Sequence, residues 1–286
     1  MATVKNPYAL PAAVAGVMAV QALLGLLWPD RYRDGEWVMA TWFGNDSVTL
    51  LIVVPLLIVN SVRAADGSRR ALLATLGLTG YAVYNSAFYL FGAALSAFFP
   101  IYVLLLVSAV CTLIVLFRHV DENVFPIERA ALARLAGGYF IVVATGLASA
   151  WLWLWAAYVF RGRATPIGLQ EFRLIVALDL SVMVPLLLTG GLLLWRRNRW
   201  GVVISAVGGV VAVMYLLVLS VNAAIAIYRE FTPPPGELPL WGTLFALTTL
   251  ATLSIFVQVQ VRLKPDTLDF RLKAEATRSE FSVISR

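Results

Sequence analysis

Apolar runs of about twenty residues alternate along the chain with short stretches that collect its arginines, aspartates and prolines. A helix needs roughly 20 apolar residues to cross ~30 Å of hydrocarbon. Eight runs meet or approach that length: 8–28, 48–62, 71–95, 98–117, 135–160, 174–195, 200–228 and 239–261. The second is short unless Asn45 and Asp46 lie at its mouth. The pattern predicts an all-α, polytopic integral membrane protein. Its transmembrane domain, 1–262, is a bundle of about eight helices, followed by a cytoplasmic tail, 263–286. Within that tail, 267–280 reads either as a surface helix on anionic lipid or as a solvated extension.

The runs suggest two parallel half-repeats, about 1–120 and 131–262. At an offset of 130 residues, Val54-Pro55-Leu56-Leu57 falls on Val184-Pro185-Leu186-Leu187, and Arg31 and Arg33 fall on Arg161 and Arg163. The fourth pair of runs needs an offset of 140, which the longer loop Arg229–Pro239 accommodates. Bilayer thickness alone would also space helices evenly, so both explanations stand.

Composition agrees. The chain is 60% hydrophobic and 13% charged, against about 45–50% and ~25% in soluble domains. Its net charge of +6 could point to nucleic acid, but the basic residues lie in short loops. With both termini cytoplasmic, the inside segments hold sixteen Lys and Arg and the outside loops six. That bias sets N-in, C-in. The lipid bilayer is therefore the expected partner and nucleic acid is not. Richness in Arg, Ala, Val and Leu fits a GC-rich bacterium, and the membrane expected is then a bacterial inner membrane.

Much chemistry is excluded. Lys5, Lys264 and Lys273 lie outside the spans, so none can hold a chromophore within the membrane. The one histidine, His119, cannot supply bis-histidine haem ligation or a zinc triad. Cys111 is alone, and no HExxH, GxSxG, Walker A or GxGxxG run is present. No cofactor is expected and no catalytic set is visible.

One residue stands out. Asp179 is the only carboxylate inside a long apolar run, six residues past Arg173, or roughly 9 Å into a helix. A charge there costs at least ~2.5–3.5 kcal/mol, which makes such a residue a site by default. The alternative is a protonated acid bonded to a neighbouring helix. Asp46, Thr49, Asn85 and Asn222 fall at similar depth in the outer half, with Gln21 and Tyr89. Together they could line a cavity for a small polar solute or a hard cation, whose ligands are oxygens. Packing contacts between helices explain the amides as well. Asn45-Asp46-Ser47 reads as an N-terminal cap of the second span.

Pro55 and Pro185 interrupt matched spans, a recognised pointer to a transporter site. Each should free a carbonyl one turn earlier, that of Leu51 and that of Ser181. Ser181 would then assist Asp179. Trp28, Trp37, Trp42, Trp241 and Tyr228 read as an outer aromatic belt, with Trp195 and Trp200 at the inner face. Trp151 and Trp155 share a helix face, as ligand wall or belt. Tyr81, Tyr84, Phe88 and Tyr89 could line the cavity or simply pack. Small-xxx-small pairs such as Gly208/Ala212 permit close helix contact and a homodimer. Two short runs, Gly44-Asn45-Asp46 and Tyr84 to Gly92, look like motifs without a known activity.

The sequence thus predicts a small-solute or ion transporter, proton-linked through Asp179. A non-catalytic membrane subunit or assembly scaffold is the other reading.

Overall fold

A computed structural model describes residues 7–121, 125, 127, 129–230 and 236–259. The tail and its surface-helix segment lie outside the described residues. Among these residues the chain is helical and contains no strand. The helices are α1 (Ala9–Leu27), α2 (Glu36–Val48), α3 (Val54–Ala65), α4 (Arg69–Gly92), α5 (Phe99–Phe117), α6 (Ala130–Arg161), α7 (Leu169–Leu178), α8 (Val184–Trp195), α9 (Arg199–Tyr228) and α10 (Glu237–Gln258).

Two pairs form single interrupted rods. A π turn at Thr49–Val53 joins α2 to α3, and another at Asp179–Met183 joins α7 to α8. Each lies just before or around the proline-bearing stretch, with Pro55 and Pro185 in the first turn of α3 and α8. Proline lacks an N–H, and its ring strikes the carbonyl four residues back. Here the helix widens by one residue. The Val54 N–H bonds the Thr49 carbonyl, and the Val184 N–H bonds the Asp179 carbonyl. Each interruption is therefore a π turn, and the carbonyls that close it belong to Thr49 and Asp179.

Among the described residues, seven rods are long and apolar enough to cross a membrane. The eighth, α4, is long enough but richer in polar groups. Its buried Thr75, Thr79, Tyr84, Asn85 and Ser86 explain why. A helix surrounded by other helices does not have to be apolar, because its polar groups meet polar partners. Helices at the periphery differ: α5, α6 and α10 expose Leu104, Leu135, Val142, Leu250 and Val257. The protein is a helical bundle of membrane type.

Neighbour relations place α4 and α9 at the centre. Helix α4 packs on α3, α5 and α9, while α9 packs on α8, α10 and α4. Helix α1 lies against α3 and α5, as α6 lies against α8 and α10. Across the middle, α2 touches α9 and α7 touches α4. Glycine allows the closest approach between α6 and α8. A Cβ on Gly137 would sit 2.8 Å from the Gly191 carbonyl oxygen, and one on Gly191 would sit 2.8 Å from the Gly137 oxygen.

Candidate functional site

Asp46 is not a helix cap. Its span begins at Glu36, not near residue 48, so Asp46 lies ten residues along an unbroken helix, about 15 Å from its start. The apolar run misplaced the start because Trp37-Val38-Met39-Ala40 precede a polar interruption that the helix simply continues through. Asp46 is wholly buried. Its Oδ1 accepts from Gln21 Nε2 at 2.9 Å and from the Tyr89 hydroxyl at 2.7 Å. Its Oδ2 accepts from the Tyr32 hydroxyl at 2.5 Å. The donors come from α1, from α4 and from the segment between α1 and α2. A buried carboxylate is tolerable only with such a set.

Gly25 makes this cluster fit. A Cβ there would lie 2.1 Å from Asp46 Oδ2 and 2.2 Å from the Tyr32 oxygen. Tyr32 is buried although it lies outside the long helices. Burial, and then the Asp46 carboxylate beside it, push its phenol far up, so it stays a donor. Around it stand Trp42, Tyr89, Phe98 and Tyr102. Trp42 is therefore not part of an interfacial belt. Its ring stacks on Tyr89 at 4.4 Å.

Asp179 is buried as well, at the opening of the second π turn. It accepts from the Tyr84 hydroxyl of α4 and from Trp151 Nε1 of α6 at 2.8 Å. Tyr84 in turn meets Tyr215 of α9 edge-on at 5.2 Å. Thr49, 130 residues earlier, opens the first π turn and is equally buried.

Helix α4 connects these groups. Tyr81, Asn85 and Tyr89 follow one another at four-residue spacing and so share a face. That face meets α2: Asn45 Nδ2 donates to Asn85 Oδ1 at 2.8 Å, and the Tyr81 hydroxyl donates to Asn45 Oδ1 at 3.2 Å. Tyr84 points from a neighbouring face to α7. The two motif-like runs, Gly44-Asn45-Asp46 and Tyr84 to Gly92, thus pair with each other. Gly44 gives room to Asn222 of α9, whose Oδ1 would be 2.1 Å from a Cβ at that position.

Of the six residues chosen from sequence, Asp46, Thr49, Asn85 and Asn222 gather around α2, α4 and α9. Asp179 lies on the α7 side of α4. Ser181 stays apart: it is exposed, and its hydroxyl donates to the Ala177 carbonyl at 2.6 Å. Two residues along the π turn is about half a turn, so it faces away from Asp179. Buried Thr49 Oγ1, Asn85 Nδ2, Asn222 Oδ1, Gln21 Oε1 and Tyr102 Oη have no hydrogen-bond partner. Such orphaned groups call for an explanation when they cluster.

Sequence reasoning missed Tyr32 and Trp151. Tyr32 is hidden between Arg31 and Arg33 in a charged loop. Trp151 was expected with Trp155 in a ligand wall or an aromatic belt, and not as a donor to Asp179. No group of three or more His, Cys, Asp or Glu among the described residues could hold a metal ion.

The fold and this layer define a class only, a helical membrane bundle with a buried polar layer. Compared with family models, curated proteins and solved structures, the chain matches none at a significant level.

Proposed function

We propose that the chain is a small-solute or ion transporter, proton-linked, whose working site is the polar layer between the two π turns. The observation that carries this reading is the pair of π turns. Each interrupts a proline-containing rod near its middle, and each opens on a buried polar side chain, Thr49 or Asp179. Single π turns within helices cluster at functional sites, and paired broken helices mark transporter sites at a repeat interface. The neighbour relations support two parallel four-helix repeats, eight spans in all, that meet across α4 and α9. The basic-residue bias supports termini inside a bacterial cell membrane, with Asp46 and Tyr32 toward the outside. In this reading Asp179 is the titrating or coordinating group, and Thr49, Asn45 and Asn85 face the solute.

The test is flux in proteoliposomes carrying an internal pH dye, with alkali cations and small polar solutes supplied outside. Wild-type protein should move protons with at least one of them, and Asp179→Asn should abolish or uncouple that movement. Wild-type flux no greater than empty vesicles, or unaltered flux and pH dependence in Asp179→Asn, would sink the proposal.

One observation favours the second reading, a non-catalytic subunit or scaffold. Both oxygens of each carboxylate already accept from donors on neighbouring segments. A cavity among the described residues is lined by Trp153, Ala157, Phe160 and Arg161 of α6, none of which belongs to the polar layer. A scaffold predicts that Asp179→Asn lowers stability and leaves vesicle permeability as it was.

A further inference from the structure

Five aromatic rings enclose the neighbourhood of Asp46: Tyr32, Trp42, Tyr89, Phe98 and Tyr102. Four of them sit in or at the start of long helices. Tyr32 alone comes from the connecting strap between α1 and α2. Its ring meets Trp42 at 6.2 Å, Tyr89 at 6.4 Å and Phe98 edge-on at 5.3 Å. Its hydroxyl is the hydrogen-bond donor to Asp46 Oδ2, while Oδ1 takes the other two. Tyr32 therefore fills the box and occupies one oxygen of the carboxylate.

The strap is a clasp rather than a packed helix. Arg33, directly after Tyr32, has φ +61°, an unfavourable backbone state for an arginine. Asp34 fastens the strap from the other side, accepting from Trp42 Nε1 at 3.0 Å and from the Ala94 amide at 2.9 Å. The segment is held by the side chains of Tyr32 and Asp34 and belongs to none of the long helices.

Two further oxygens in the box lack partners, Gln21 Oε1 and Tyr102 Oη, and both side chains are buried. Gln21 touches Asp46 through its Nε2, so its Oε1 lies one amide width away. The Tyr102 ring lies tilted against Tyr89 at 5.2 Å. A ligand for this box must satisfy a carboxylate, two spare acceptor oxygens and several aromatic faces. An anion is repelled by Asp46. A neutral alcohol forgoes the charge. A quaternary ammonium has no N–H for Gln21 or Tyr102. A primary ammonium on a short apolar stem can donate to the carboxylate and to both spare oxygens, and aromatic faces attract cations as well.

We infer that the box around Asp46 is a binding site for a primary organic ammonium ion, with Tyr32 as the built-in plug that holds its place. The site goes beyond the transport reading, since binding there needs no flux.

The test is equilibrium binding of radiolabelled n-butylammonium to the full-length protein in detergent. Saturable binding is expected, and Tyr32→Phe, which removes the competing hydroxyl, should tighten it about tenfold. Asp46→Asn should weaken it by about tenfold or more, and tetramethylammonium and n-butanol should compete at least about tenfold more poorly. Where Asp46→Asn does not fold, Gln21→Met serves, keeping the carboxylate while removing one acceptor, with binding weakened about threefold or more. No saturable binding to wild type or to Tyr32→Phe overturns the inference. So does undiminished binding by folded Asp46→Asn or Gln21→Met, or equal competition by tetramethylammonium. Failure of the Asp179 flux test would leave this result untouched.

Discussion

Gly25→Ala tests the packing of the Asp46 cluster with a single methyl group. The new Cβ would lie 2.1 Å from Asp46 Oδ2, 2.2 Å from the Tyr32 oxygen and 2.9 Å from the ring carbon that carries it. None of these neighbours is the free end of a flexible chain. Asp46 is held by three donors and Tyr32 by three rings. Overpacking of this kind costs about 1–3 kcal/mol. If Tyr32 is expelled, its bond to the carboxylate goes too, worth roughly 1.5–3 kcal/mol. A loss of about 2–5 kcal/mol is therefore expected, the two terms overlapping in part. The control is Gly16→Ala on the same helix, where a Cβ meets nothing within 4 Å. There alanine should be neutral or stabilise by up to about 1 kcal/mol, since it forms helix better than glycine. The assay is denaturant titration of both variants in mixed micelles. Equal stabilities for Gly25→Ala and Gly16→Ala, within about 0.5 kcal/mol, would refute the reasoning.

Gly191→Ala should lower stability by about 1–3 kcal/mol in the same titration, because its Cβ meets the Gly137 backbone oxygen and backbone cannot swing aside. Thr49→Val replaces a buried, unpartnered hydroxyl with a methyl of similar shape; stability should hold or rise by about 1 kcal/mol, while solute-dependent flux, where measured, should fall. Arg70→Ala removes the guanidinium whose Nε donates to the Val259 carbonyl at 2.7 Å; protease sensitivity at the end of α10 should rise, with global stability reduced by only about 0.5–1.5 kcal/mol.

The membrane class of this protein was legible in its sequence, because the requirement for a span is one of length and apolarity, both local. Proline was legible too: Pro55 and Pro185 located the two interruptions, since their missing N–H acts wherever they sit. Asp179 was found by its cost alone. Tertiary structure decided what those signals meant. Asp46 looked like a cap because a run of apolar residues ended beside it, yet the helix starts ten residues earlier and its donors come from three separate segments. Tyr32 gave no local sign, and Trp151 none of its bond to Asp179, for a phenol or an indole becomes a partner only when the fold brings a carboxylate to it. Ser181 lies two residues from Asp179 in sequence and on the far side of the helix in space. Periodicity along one chain sets which groups are buried. Which buried groups meet depends on the packing of α2, α4, α7 and α9, and that is a property of the whole bundle.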